Sequence, residues 1–205
     1  MKRIIITFFA FALITTLSYV QATGQQPAAS RCSLTESNSP GVRGIKLGMS
    51  TEQLLALFPG SSKRKEIKDA LERAKTSASG EPVYLSFYPA IDASGDRFAG
   101  VDSVSVGLYK GRVIDFNLQY VGPTWRNIDE WVGKLSETLN LPGAQEWTVG
   151  PYENPNKVLS CSGIQIEALI QGGGGSVRIR NADYLKGAED RANAGEERKR
   201  RDFKP

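Results

Sequence analysis

Histidine is absent from all 205 residues, which removes the side chain most often used as a general acid or base near neutral pH and the commonest metal ligand. A Ser-His-Asp triad, a Cys-His pair and an H-E-x-x-H zinc site are excluded with it. Cysteine is scarce: Cys32 and Cys161 are the two in the chain, too few for a thiolate zinc cluster. No metal or cofactor is expected. Long apolar runs are missing beyond the N-terminus, so no segment downstream reads as a membrane span. A strong charge bias is missing too. Lys and Arg number 26 against 22 Asp and Glu, an excess that gives no footprint for a nucleic-acid partner.

What the chain does have begins at its first residues. Lys2 and Arg3 precede an apolar run from Ile4 to Leu17, and Val20-Gln21-Ala22 supplies small residues at a cleavage position. The run falls short of the ~20 apolar residues of a spanning helix and leads into a Gln-rich stretch. The reading is a signal peptide over residues 1–22, cleaved after Ala22, with the protein periplasmic or secreted and without a transmembrane segment after cleavage. In such an oxidising compartment the even pair Cys32 and Cys161 reads as one disulfide. Ala29-Ser30-Arg31 ahead of Cys32 is wrong for a lipid-attachment site.

Residues 23–43, rich in Gln, Ser, Ala and Pro, read as a flexible lead-in tied down at Cys32. Ser50-Thr51-Glu52-Gln53 has the capping-box spacing ahead of Leu54, Leu55, Leu57 and Phe58, and Pro59-Gly60 ends that helix. Residues 63–75 carry Ile67, Leu71 and Ala74 at helical spacing, and read as an exposed helix or a mobile loop. From Pro82 the period becomes two. Val83, Leu85 and Phe87, then Val104, Val106 and Leu108, then Ile114, Phe116, Leu118 and Tyr120 alternate with polar neighbours, and Lys110-Gly111 is a hairpin turn.

The order then recurs. Asn127 caps a helix carrying Ile128, Trp131, Val132, Leu135 and Leu139, stopped by Leu141-Pro142-Gly143. Strands follow at 158–161, 164–170 and 176–180. The fold expected is α+β: an antiparallel β-meander with short helices on one face, read as two helix-then-meander units, 44–122 and 123–181, sharing one sheet. Residues 182–205 form a charged tail, disordered or a solvated helix.

The stretch Gly44-Ile45-Lys46-Leu47-Gly48-Met49-Ser50-Thr51-Glu52-Gln53-Leu54-Leu55, running to Pro59-Gly60, resembles the helix entry of the small α+β domains of the BamE (SmpA) and beta-lactamase inhibitor protein families. The resemblance implies a helix packed on an antiparallel sheet and a role in envelope assembly or protein binding rather than catalysis. It carries over no functional residue, and this chain lacks the lipid-attachment cysteine of BamE.

Three motifs fail on their own chemistry. Residues 172–175 are four glycines, but Val177 and Ile179 behind them announce a strand, not the helix N-terminus a phosphate cradle needs. Asp92-Ala93-Ser94-Gly95-Asp96 opens like a calcium loop, yet Arg97 stands where glycine is required and Ser103 where the closing acid belongs. The basic run Arg198 to Arg201 is blunted by Glu196, Glu197 and Asp202. Catalysis without histidine leaves carboxylate pairs, with Asp115, Glu146, Glu153 and Glu167 as candidates for a carboxylate-dependent hydrolase. The favoured reading is instead a non-enzymatic binder of an envelope protein or polymer through the polar sheet face. Tyr84, Tyr88, Tyr109, Asn117 and Gln119 lie on that face, with Arg178 and Arg180 continuing it, a mixture of tyrosine and small polar groups that suits recognition.

Overall fold

The computed structural model describes residues 32–76 and 81–204. The segment read as a signal peptide and the first part of the lead-in lie outside the described residues. Chain order is α1 (Thr51–Leu57), α2 (Lys65–Thr76), β1 (Val83–Phe87), α3 (Pro89–Asp92), β2 (Val101–Tyr109), β3 (Arg112–Tyr120), α4 (Ile128–Leu139), β4 (Thr148–Val149), β5 (Asn156–Ser160), β6 (Ile164–Gln171), β7 (Gly174–Asn181) and α5 (Ala182–Asp202). The class is α+β. The described strands form one antiparallel sheet in the order β1-β2-β3-β7-β6-β5-β4.

Local chemistry sets the element boundaries. Ser50 and Gln53 form the reciprocal capping box, with Ser50 N–H donating to Gln53 Oε1 at 3.0 Å and Gln53 N–H to Ser50 Oγ at 3.3 Å. The Asn127 side chain accepts from the Glu130 amide at 2.9 Å to start α4, and Asn140 in the left-handed region at φ 52° ends it. Lys110 and Gly111, both at positive φ, make the tight turn joining β2 to β3. The four glycines divide their labour. Gly172 and Gly173, at φ 61° and 84°, turn the β6–β7 hairpin, whereas Gly174 and Gly175 open β7, earlier than Ser176.

Each meander runs outward-in, so its last strand is central and the two units join where β3 meets β7. Leu118 opposes Val177 and Phe116 opposes Ile179 across that seam. Ile179 in turn faces Ile166, and Ile166 faces Leu159. These side chains make one continuous apolar face under α1, α2 and α4. Residues 63–75, read as an exposed helix or a loop, are mostly α2, whose Ile67 and Ala70 are buried in the core. The 92–96 stretch, whose turn residues suggest a hairpin tip, instead starts on the last residue of α3 and runs on within a longer β1–β2 connection, where Asp92 is buried, pairs with Arg64 at 2.5 Å and accepts from the Tyr88 amide at 2.7 Å.

The Cys32–Cys161 disulfide is present. From Cys32 onward the lead-in is packed rather than loose: Cys32 and Val42 are buried, and Ile45 and Leu47 just beyond it continue the packing. Backbone bonds tie it to both units, through Ser162 N–H to Cys32 O at 3.1 Å and Val42 N–H to Ile45 O at 2.9 Å. Ordered packing therefore starts about a dozen residues ahead of Gly44, because short apolar residues hidden among Gly and Ser fill gaps that periodicity does not report. The tail forms α5, capped by Asn181 through the Tyr184 amide at 2.8 Å and exposed beyond its first two turns. No helix among the described residues is long and apolar enough to cross a membrane.

Candidate interaction surface

The second face of the sheet is built from the alternate positions. Register places Tyr84 opposite Gly107, Gly107 opposite Asp115, and Asp115 opposite Arg180; one step along, Ser105, Asn117, Arg178 and Glu167 stand in a row. Period-two alternation forces this separation, since a strand that buries Val106 and Phe116 turns their neighbours to the opposite side.

Two ion pairs occupy its centre. Arg178 donates through Nε to Asp115 Oδ1 at 2.9 Å and through Nη2 to Asp115 Oδ2, while Arg180 donates through Nη2 to Glu167. Both pairs are diagonal across β7. The acids are almost fully covered, Asp115 at 5% and Glu167 at 6% exposed, so removing either arginine would strand a buried charge. The hydrogen bonds to Asp115 hold the Arg178 guanidinium pKa above its ordinary value. Arg180 Nε and the Tyr184 hydroxyl are buried without a hydrogen-bond partner.

Tyr84 lies over Gly107, where an added Cβ would come within 3.0 Å of the ring. A glycine at this point of β2 makes a seat for the ring. Tyr84 remains 52% exposed, and partial burial, reinforced by Asp115, raises its hydroxyl pKa above the ordinary tyrosine value. Asn117, Gln119 and Arg178 come together at a recess of about 150 Å³, completed by Ser176, Glu167 and Tyr152. Tyr152, on the loop before β5 and 48% exposed, overhangs strands that precede and follow it by dozens of residues. Its position in a turn-rich stretch carries no periodic signal, so sequence reasoning passed over it.

Two residues of the expected set stand at the ends of the face. Tyr88 follows β1, with the Arg64 guanidinium 5.2 Å from its ring centroid. Tyr109, at the end of β2, packs on Tyr184 of α5 with centroids 5.1 Å apart. Of the four acids considered for hydrolysis, Asp115 and Glu167 share this face, and each is bound to a guanidinium. Glu146 ends the short 3-10 turn Ala144–Glu146, and Glu153 is exposed in the loop before β5. Among the described residues no three Asp, Glu or Cys side chains gather as a metal site.

The surface therefore offers hydrogen-bonding groups and tyrosine rings on a rigid sheet. Comparison with protein-family models, curated proteins and solved structures finds no match to this chain.

Proposed function

We propose that this chain is an exported, non-enzymatic binding protein of the cell envelope that holds a protein or polymer partner against the polar face of its sheet. The observation that carries the reading is the recess on that face, where Asn117, Gln119 and Arg178 converge beside Tyr152. Arg178 is held in place by Asp115, and the β3–β7 ladder fixes the backbone that carries Asn117, so the strands and the guanidinium are ordered before a partner arrives. Preorganisation of this kind lowers the entropic cost of association. Tyr84 and Tyr152 add exposed ring area at low conformational cost. Export is supported by the basic start and apolar run of residues 2–17 together with the disulfide.

The test uses the full exported chain as bait in an envelope fraction, alongside a variant carrying Tyr84→Ala, Asn117→Ala and Tyr152→Ala. These side chains lie outside the apolar core, so the variant should melt within a few degrees of the parent, consistent with a loss of under about 1 kcal/mol. A partner retained by the parent should be lost by the variant, since interface anchors are worth roughly 2 kcal/mol or more. Equal retention by a folded variant would place recognition elsewhere.

A further inference from the structure

The helix side of the sheet holds a second concavity that the polar face does not use. Between α4 and the 41–43 turn lies an open groove of about 590 Å³, within the range of small-molecule sites. Its walls are mainly apolar: Val42, Leu135, Trp125 and Trp131 line it, with Tyr120 beside them. The rings form a connected set, Trp125 and Trp131 at 4.9 Å and Tyr120 edge-on to Trp131 at 5.6 Å. Trp131 is anchored through its indole N–H to Ser176 O at 2.9 Å. The Trp125 indole N–H, by contrast, is buried without a hydrogen-bond partner.

The charged residues on the rim are all of one sign. Arg43 and Lys134 line the groove and no carboxylate does. The Arg43 guanidinium donates to Ala99 O at 3.2 Å, which holds it at the rim while leaving other members of its five-donor fork available. Lys134 reaches Glu137 in an exposed pair at 2.7 Å, an interaction weak enough to be exchanged for a better anion. An apolar body alone would leave both cations idle, and a sugar would find too few polar partners along these walls.

From the ring wall and the all-cationic rim, we infer that this groove binds a small amphiphilic anion, its apolar or aromatic body against Trp125 and Trp131 and its anionic group between Arg43 and Lys134. The site is independent of the polar face and stands or falls separately from it.

Anilinonaphthalene sulfonate and laurate serve as probes, one aromatic and one aliphatic, followed by probe fluorescence and by quenching of intrinsic tryptophan emission in the full chain. Saturable one-to-one binding of the sulfonate, displaced by laurate and displaced at least tenfold less well by the uncharged alcohol of equal chain length, is the result expected. Arg43→Gln with Lys134→Gln should weaken binding at least tenfold without lowering the melting temperature appreciably. Thr138→Trp, a bulky substitution at an exposed rim position of α4, should abolish binding by filling the groove. Displacement by the alcohol as good as by laurate would overturn the anionic character. Failure of both probes to bind, or binding that survives Thr138→Trp in a folded protein, would overturn the site. Binding of the sulfonate without competition by laurate would overturn the shared amphiphile site.

Discussion

Residues 44–122 close their core with phenylalanine, whereas residues 123–181 close theirs with tryptophan. In the first unit Phe58 stacks on Phe87 at 4.2 Å and meets Phe98 at 4.8 Å, all three buried, and Arg64 seals the β1 edge by donating to Ser86 O at 3.1 Å. In the second, Trp125 and Trp131 lie over Gly175 and stop short of filling the space under α4. The two units run through the same order of helix, stop and meander. The difference lies in ring size: small rings interdigitate to a dry core, whereas a pair of indoles leaves concave space and polar N–H groups to be matched. The phenylalanine cluster lies wholly within the first unit, whereas the groove takes its walls from both units and from residues 41–43.

That contrast is broken most severely at Phe58. Phe58→Ala should remove both ring contacts and leave a cavity, costing roughly 3–5 kcal/mol, read as a lower midpoint in urea. A loss below about 1 kcal/mol would mean that the phenylalanine cluster is not the stability centre. Next comes the staple between the lead-in and the second unit. Replacing both Cys32 and Cys161 with Ala should cost roughly 2–4 kcal/mol while leaving a cooperative transition, because the sheet has an apolar face of its own.

Gly175→Ala sharpens the comparison from the second unit. Its Cβ would come within 2.7 Å of Trp131 and 3.0 Å of the Trp125 indole nitrogen, so the rings must shift. The expected loss is roughly 1–3 kcal/mol, with a change in tryptophan emission that Phe58→Ala should not produce. The smallest effect belongs to α5. Truncation after Ala188 removes the exposed turns and keeps Tyr184 on Tyr109, so the urea midpoint should correspond to a change within about 0.5 kcal/mol. A larger drop would show that neither unit is complete without the whole helix.

The local features were legible, and of the long-range ones the disulfide and the common side of β3 and β7 were. The capping box at Ser50, the cap at Asn127, the Lys110-Gly111 turn and the alternation in β1 to β3 each follow from neighbours within a few residues, and each stands in the structure. The disulfide followed from count and compartment. The polar face of β3 and β7 was readable because period two fixes sides, so Asn117, Gln119 and Arg178 come out together. Their ion-pair partners were not assigned, because a diagonal contact such as Arg178 to Asp115 depends on which strands adjoin. The two-residue strand β4, the packing of Val42 and Leu47 and the overhang of Tyr152 depend likewise on contacts across the chain. The groove escaped notice for a related reason: Trp131 reads as core at helical spacing, and only the placement of Arg43 and Lys134 on its rim gives the space a chemistry.

The seam between β3 and β7 has a consequence for the chain before it is complete. When the chain emerges from its N-terminus during synthesis, β1, β2 and β3 are available while β7 is not. For that interval β3, a nine-residue strand, presents an unsatisfied edge with Phe116 and Leu118 along it. Such an edge is a template for any extended segment that arrives first, including the β7 of a neighbouring copy, and strand exchange of that kind yields intertwined dimers rather than monomers. A nascent chain held short of residue 181 is thus the form most open to strand exchange, and the β3 edge is where the exchange would start.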